Sequence, residues 1–206
     1  MHAGATASDD GGGKGDADQG VAVSMNVLST SLAGLLVLEP RSFGDARGHF
    51  YESWSERRYR EAGIGETFVQ DNVSVSSGPV VRGFHFQIRH PQGQLVWLTE
   101  GRILDVCVDI RPDSPTFGRW ESFELAAMPV RQIYMPPGFA HGFALLSERA
   151  TVHYKCTEYY HADDEGGILW NDPTLAVPWP IESPIVSARD AAFPTFAELA
   201  RRLGRT

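Results

Sequence analysis

The stretch Ile103-Leu104-Asp105-Val106-Cys107-Val108-Asp109-Ile110 alternates throughout. Leu104, Val106, Val108 and Ile110 make one face, and Asp105, Cys107 and Asp109 the other, because successive side chains of a strand point to opposite sides. Outward from it, Thr151 to Tyr160 repeats the pattern, with Tyr154, Cys156 and Tyr160 on one face. Phe68-Val69-Gln70-Asp71-Asn72-Val73-Ser74-Val75 does likewise: Gln70, Asn72 and Ser74 share a face, and Val69, Val73 and Val75 take the other. Leu35-Leu36-Val37-Leu38 adds an apolar strand, followed by the turn-forming Phe43-Gly44-Asp45-Ala46-Arg47-Gly48. Many short strands with Gly and Pro between them predict an all-β barrel or jelly roll. A small barrel with polar groups on its inner face makes a ligand cavity. Gln70, Asn72, His85, Tyr154 and Tyr160 are candidates for its wall.

Two short helices punctuate this pattern. Ser53-Trp54-Ser55-Glu56 resembles a capping box, and Gly63 can end the helix it starts. Thr195-Phe196-Ala197-Glu198 is a second such box, opening a C-terminal helix with Leu199 and Leu203 apolar. Residues 1–24 are rich in Gly, Ala and Asp and are expected to form a disordered tail, because they bury too little apolar surface to offset the entropy of ordering. Residues 25–206 are expected to form one domain, with Met25 a candidate native start. No internal repeat is evident.

The bulk properties exclude several classes of function. The chain has 206 residues, 42% of them hydrophobic and 21% charged, with a formal net charge of −8. That charge argues against nucleic-acid or anionic-membrane binding, both of which need basic fields. It still permits a small anionic ligand held by a few well-placed arginines. Cys107 and Cys156, in apolar strand-like runs, read as buried free thiols. No run is long enough to span a membrane and no secretory h-region opens the chain, so a cytoplasmic location is expected.

The chemistry resides in Arg82-Gly83-Phe84-His85-Phe86-Gln87 and in Gly138-Phe139-Ala140-His141-Gly142-Phe143. Each sets one histidine among aromatics and glycines. A barrel metal site often uses two histidines at i and i+2, since period two aims both at one point. Here Gln87 stands two residues after His85, and an amide is a poor transition-metal ligand. His90 has the wrong parity. No metal and no cofactor are therefore expected, and acid–base chemistry is the better reading. Taken singly, His85 and Tyr154 also suit ordinary structural roles. Arg47 and Arg82, each beside a glycine, suit phosphate oxygens, whose geometry matches the guanidinium fork.

Taken together, the motifs are specific. Phe43-Gly44-Asp45-x-Arg47-Gly48-x-Phe50, Phe68-Val69-Gln70-Asp71-Asn72, Arg82-Gly83-x-His85-x-Gln87, Ser114-Pro115-Thr116-Phe117-Gly118, Gly138 to Phe143, Tyr154-Lys155, Tyr159-Tyr160 and Trp170-Asn171-Asp172-Pro173 occur in order. Over about residues 25–192 the chain resembles the dTDP-4-dehydrorhamnose 3,5-epimerase family. The resemblance implies a metal-free, cupin-type double-stranded β-helix jelly roll, a homodimer, and a nucleoside-diphosphate 4-keto-6-deoxyhexose as substrate. It implies His85 as base with Asp190 as its carboxylate partner, Tyr154 as proton donor, and Tyr160 stacked on the nucleobase. Arg47, Glu52, Gln70, Asp71, Asn72, Arg82, Gln94, His141, Glu165 and Arg189 match substrate-contacting positions.

The chemistry implied is simple to state. A C4 ketone acidifies the hydrogens on C3 and C5; removing one gives an enolate, and protonation from the opposite face inverts that carbon. This needs a base on one side of the ring and an acid on the other, with a donor for the enolate oxygen. The family usually has a lysine where this chain has Gln94, and a neutral amide binds an anion more weakly than a charged donor. Arg89, His90 and His141 are possible substitute cations, and Gln94→Lys is expected to raise or redirect activity. The other readings are a sugar-nucleotide-binding relative with little or no catalysis and a metal-dependent cupin. Whether C3, C5 or both invert is not legible in one sequence, nor is the nucleotide.

Overall fold

A computed structural model describes residues 25–205. The expected tail over residues 1–24 lies outside the described residues. In chain order the strands are β1 (Met25–Ser29), β2 (Leu36–Pro40), β3 (Ser42–Asp45), β4 (Gly48–Tyr51), β5 (Gln70–Ser77), β6 (Val81–Gln87) and β7 (Gln94–Glu100). They continue as β8 (Arg102–Asp109), β9 (Trp120–Ala126), β10 (Gln132–Met135), β11 (Phe139–Leu145), β12 (Arg149–Cys156) and β13 (Glu165–Gly167). Helix α1 (Glu56–Glu61) lies between β4 and β5, and α2 (Phe196–Arg202) closes the described chain.

Two antiparallel sheets carry the fold. One runs β1-β2-β10-β7-β12-β5, the other β13-β6-β11-β8-β9, and β3 and β4 form a separate hairpin. The order is non-sequential, so neighbours such as β5 and β12 come from distant parts of the chain. This is the jelly-roll arrangement expected from the alternating strands. Val96, Leu98 and Val152 of the first sheet pack with Ile103, Cys107 and Phe143 of the second to make the inner core.

The two faces of Ile103–Ile110 have different fates. Val106, Val108 and Ile110 point outward, under a cover that includes Ile168, Leu175, Phe196 and Leu199. Asp105 and Cys107 point the other way and are fully buried. Because the C-terminal segment covers the apolar face, the polar one is free to face the interior. On the first sheet, α1 plays the same covering role: Tyr59 packs with Leu38, Leu95 and Tyr134. The outward valines of β5 have no such cover, and Val73 and Val75 are 58% and 49% exposed.

Two local expectations are corrected. The capping box proposed at Ser53 does not form; the cap residue is Ser55, with no side-chain bond. The Ser53 carbonyl is engaged elsewhere, accepting from the Tyr59 hydroxyl at 3.0 Å and the Gln132 amide at 2.9 Å. Gly63, at φ +94°, does follow the helix end, and Thr195 with Glu198 forms the second box as expected. The strand expected over Thr151–Tyr160 stops at Cys156. Buried Gln87 draws the following segment onto β6, donating to the Tyr159 carbonyl at 3.1 Å and accepting from the His161 N–H at 2.6 Å. Tyr160 therefore sits on a loop.

Candidate active site

A cavity of about 350 Å³ opens between the two sheets. Its wall on the first sheet comes from β5, β7 and β12. Gln70 and Asn72 line it from β5, Gln94 from β7 and Tyr154 from β12. These strands are hydrogen-bonded neighbours, with Tyr154 opposite Asn72 and Cys156 opposite both Gln70 and Gln94. The opposing wall comes from β6 and β11, which contribute Arg82, His85 and His141. Tyr160, Glu165 and Arg189 stand at the rim.

A local irregularity positions two of these side chains. Arg82 and His85 are separated by an odd interval, so a regular strand would send them to opposite faces. The register shifts here: His141 opposes His85, while Phe143 opposes Arg82. Two steps on β11 therefore match three on β6, which is the count of a β-bulge. The extra residue returns Arg82 to the face of His85. Gly83 sits in the bulge at φ +109°, and a Cβ there would lie 2.5 Å from the Gly142 Cα. No other residue fits.

His85 is held by Asp190 from a remote segment, 105 residues along the chain. The imidazole Nε2 lies 2.9 Å from Asp190 Oδ1, and the Gly83 N–H donates to Oδ2 at 3.1 Å. Burial alone would raise the Asp190 carboxyl. The bond and charge of His85, with the Gly83 N–H, outweigh it and hold the carboxyl down at about 2. An ionised carboxylate only accepts, so His85 Nε2 carries a hydrogen and Nδ1 is the free basic atom. Tyr154 comes from the opposite sheet. Burial pushes its phenol up, and the charge of Arg82 pulls against that. The phenol keeps its proton at neutral pH and can donate it.

The remaining predicted residues divide into two groups. Gln70 accepts from the Tyr160 N–H at 3.0 Å and donates to Asn72 at 3.1 Å. The Tyr160 hydroxyl donates to Glu165 at 2.8 Å, and Glu165 also pairs with Arg189. Asp71, Arg47 and Glu52 do not line this cavity. Asp71 lies on the alternate face of β5, bonded to Lys155 at 2.7 Å. Arg47 is 91% exposed at the tip of the β3–β4 hairpin, paired with Asp45. Glu52 pairs with Arg58. Of the possible substitute cations, Arg89 and His90 bond to Asp164 and do not line the cavity.

Ser74 and Gln92 also line the cavity. Alternation had grouped Ser74 with Gln70 and Asn72, and that was the signal for it. Gln92 precedes its strand and carried none. Gln87 faces inward but has all its amide atoms engaged, donating to the His90 and Tyr159 carbonyls and accepting from His161. Among the described residues, no three His, Cys, Asp or Glu side chains converge as metal ligands would. No helix among them is long and apolar enough to cross a membrane.

Comparison with known proteins gives the family. Residues 29–198 match the dTDP-4-dehydrorhamnose 3,5-epimerase family. The dTDP-4-dehydrorhamnose 3,5-epimerase of Salmonella typhimurium is 49% identical over 173 residues, 82% of this chain and 94% of that protein. The crystal structure of the Legionella pneumophila dTDP-6-deoxy-D-glucose-3,5-epimerase, in complex with dTDP-4-keto-L-rhamnose, is similar at a TM-score of 0.82. It is 46% identical and covers 85% of this chain and 97% of its own. A 3'-monoepimerase from Streptomyces bikiniensis, in complex with dTDP-quinovose, is similar at a TM-score of 0.78. It is 35% identical and covers 85% of this chain and 89% of its own. Sequence and cupin-type fold agree along nearly the whole of these relatives, and the chain belongs to the dTDP-4-dehydrorhamnose 3,5-epimerase family.

Proposed function

We propose that the chain inverts C3 and C5 of a dTDP-4-keto-6-deoxyhexose, with His85 as base and Tyr154 as acid. One observation carries the reading: a carboxylate-held imidazole and a protonated phenol enter one cavity from opposite sheets. The sugar ring lies between them. His85 Nδ1 takes the hydrogen from C3 or C5; the C–H electrons form the C=C bond and the C4 oxygen becomes an oxyanion. Tyr154 then returns a proton to the same carbon from the other side, and the centre inverts. Asp190 keeps the imidazole in the right tautomer and supports the cation that forms. Arg82, in the same cavity, supports the phenolate left behind.

Substrate recognition follows from the rim. Tyr160, tied to Gln70 and Glu165, offers a flat surface for the base, and Arg82 and Arg189 offer guanidinium groups for the diphosphate. Arg47 and Glu52 lie outside the cavity of their own chain, so their proposed contacts require a second copy. A homodimer supplies it. The exposed Val73, Val75 and Phe50, the last at 68%, give such a dimer apolar surface to bury. The free buried cysteines suit a reducing cytoplasm.

The test is isotopic. Incubation with dTDP-4-keto-6-deoxyglucose in deuterated water should place deuterium at C3 and C5 of the product. Deuterium at C3 alone would make the enzyme a monoepimerase. No uptake from a panel of 4-keto sugar nucleotides would reject the enzyme reading.

A further inference from the structure

The outer face of the first sheet is covered only in part. Helix α1 covers the side of β2, β10 and β7, where Tyr59 packs with Leu38, Leu95 and Tyr134 and Trp97 is partly buried. It does not reach β5, the edge strand of the sheet, where Val73 and Val75 stand exposed. A histidine sits between the two regions. His153 alternates with Val152 and Tyr154, which face the core and the cavity, so its ring is on the outer face. Its register partners are Val73 on β5 and Trp97 on β7. The imidazole stacks on the Trp97 indole, with ring centroids 5.4 Å apart and 17° between the planes, and Nε2 lies 2.8 Å from the Thr99 hydroxyl.

The charges around His153 are paired among themselves. Toward one end of β12, Lys155 donates to Asp71 of β5 at 2.7 Å. Toward the other, Glu100 of β7 accepts from Arg149 at 3.1 Å and from the Thr151 hydroxyl at 2.8 Å. These pairs leave the face close to neutral on a chain whose net charge is −8, so a second copy meets less repulsion here than elsewhere. His153 is the group that can upset this balance. His85, His90 and His141 each bond a carboxylate, which supports an imidazolium. Among the described residues no carboxylate bonds His153. Burial already pushes its imidazole down, with Asp71 pulling the other way. The Trp97 face attracts a cation, but less strongly than burial of an unpaired cation opposes it.

We infer that two copies of the chain meet through this face of β5, β12 and β7, and that protonation of His153 releases them. Both statements rest on the homodimer reading given above. A two-fold interface brings the same patch from each copy, so each dimer buries two His153 rings. Neutral, they extend the apolar surface of Val73, Val75 and Trp97. Protonated, each is a buried cation with no carboxylate to accept it, and dissociation returns it to water. The dimer therefore holds the imidazole below its value in the single copy. Its strength is complete above that value and is lost as pH falls through it. The proposed contacts of Arg47 and Glu52, which require the second copy, are lost with it.

The experiment follows subunit exchange between unlabelled and isotope-labelled protein by native mass spectrometry, at about pH 7.5 and about pH 5.5. Exchange reads dissociation however tight the dimer is. Wild type, His153→Phe and His153→Arg are compared, each checked for fold by circular dichroism. Wild type should exchange at least about tenfold faster at the lower pH, since two protons favour the separated copies. Lower pH also reduces the net negative charge, which by itself favours association, so acceleration points to a specific group. His153→Phe keeps an aromatic ring on Trp97 without the charge, and its rate should change by no more than about twofold. His153→Arg fixes the charge and should exchange at the higher pH at least as fast as wild type does at the lower. Equal wild-type rates at the two pH values would overturn the inference. So would a folded His153→Phe protein with the full wild-type acceleration, or a folded His153→Arg protein as slow as wild type at the higher pH. Wild-type protein that is monomeric at the higher pH would instead reject the homodimer reading beneath it.

Discussion

At the scale of single residues, the site separates its two proton carriers by environment. His85 is partly open to the cavity and backed by a carboxylate, whereas Tyr154 is enclosed by apolar neighbours that keep it protonated. His85→Ala removes the base and should lower deuterium uptake by about 10²–10⁴-fold. Tyr154→Phe should lower the formation of inverted product by a similar factor. Its residual deuterium uptake should exceed its residual inversion, because His85 can still remove and return a proton on its own face. Asp190 adds a pH signature. Its carboxyl is held at about 2, below the unfolded value, so its stabilisation is complete above about pH 5 and is lost as pH falls through 4 toward 2. The stability gap between wild type and Asp190→Asn should therefore narrow over that range, by about 2 kcal/mol, when urea midpoints are followed with pH. If the gap is independent of pH, the Asp190–His85 pair is not holding the carboxyl down.

At the scale of elements, the β6–β11 pair decides what the cavity contains. The bulge at Gly83 aligns Arg82 with His85, and the close approach to Gly142 sets His85 beside His141. Gly83→Ala should cost about 1–3 kcal/mol from the backbone conformation alone, and more from the clash. It should also impair activity beyond its effect on stability, because it displaces the N–H that bonds Asp190. Thermal melting and kcat measured on the same preparation check this. The arginine-glycine-histidine motif was readable in the sequence, but the bulge was not: strand parity applied to residues 82 and 85 gives the wrong answer, and only the observed register reveals the extra residue. By contrast, the shared face of Gln70, Asn72 and Ser74 was legible, since β5 keeps an unbroken period of two.

At the scale of the whole molecule, the proposed dimer makes a distinct prediction. If Arg47 acts in its partner's cavity, Arg47→Ala and His85→Ala proteins are each inactive alone but complement when mixed and allowed to exchange subunits. Random pairing makes half the dimers mixed, each with one intact site, so about a quarter of wild-type activity should return. No recovery, with subunit exchange verified by native mass spectrometry, would place Arg47 in its own chain's site or in none. Legibility follows the same hierarchy. The all-β class, the inward polar stripe of β5 and the C-terminal capping box were determined by local order, because strand alternation and helix capping depend on residues a few positions apart. The family resemblance already paired Asp190 with His85 across 105 residues, whereas the tertiary structure alone decided that Asp105 holds His141 and that Asp71 turns away toward Lys155. Those contacts depend on which strands become neighbours and in what register, and that is settled by packing the two sheets around a common core.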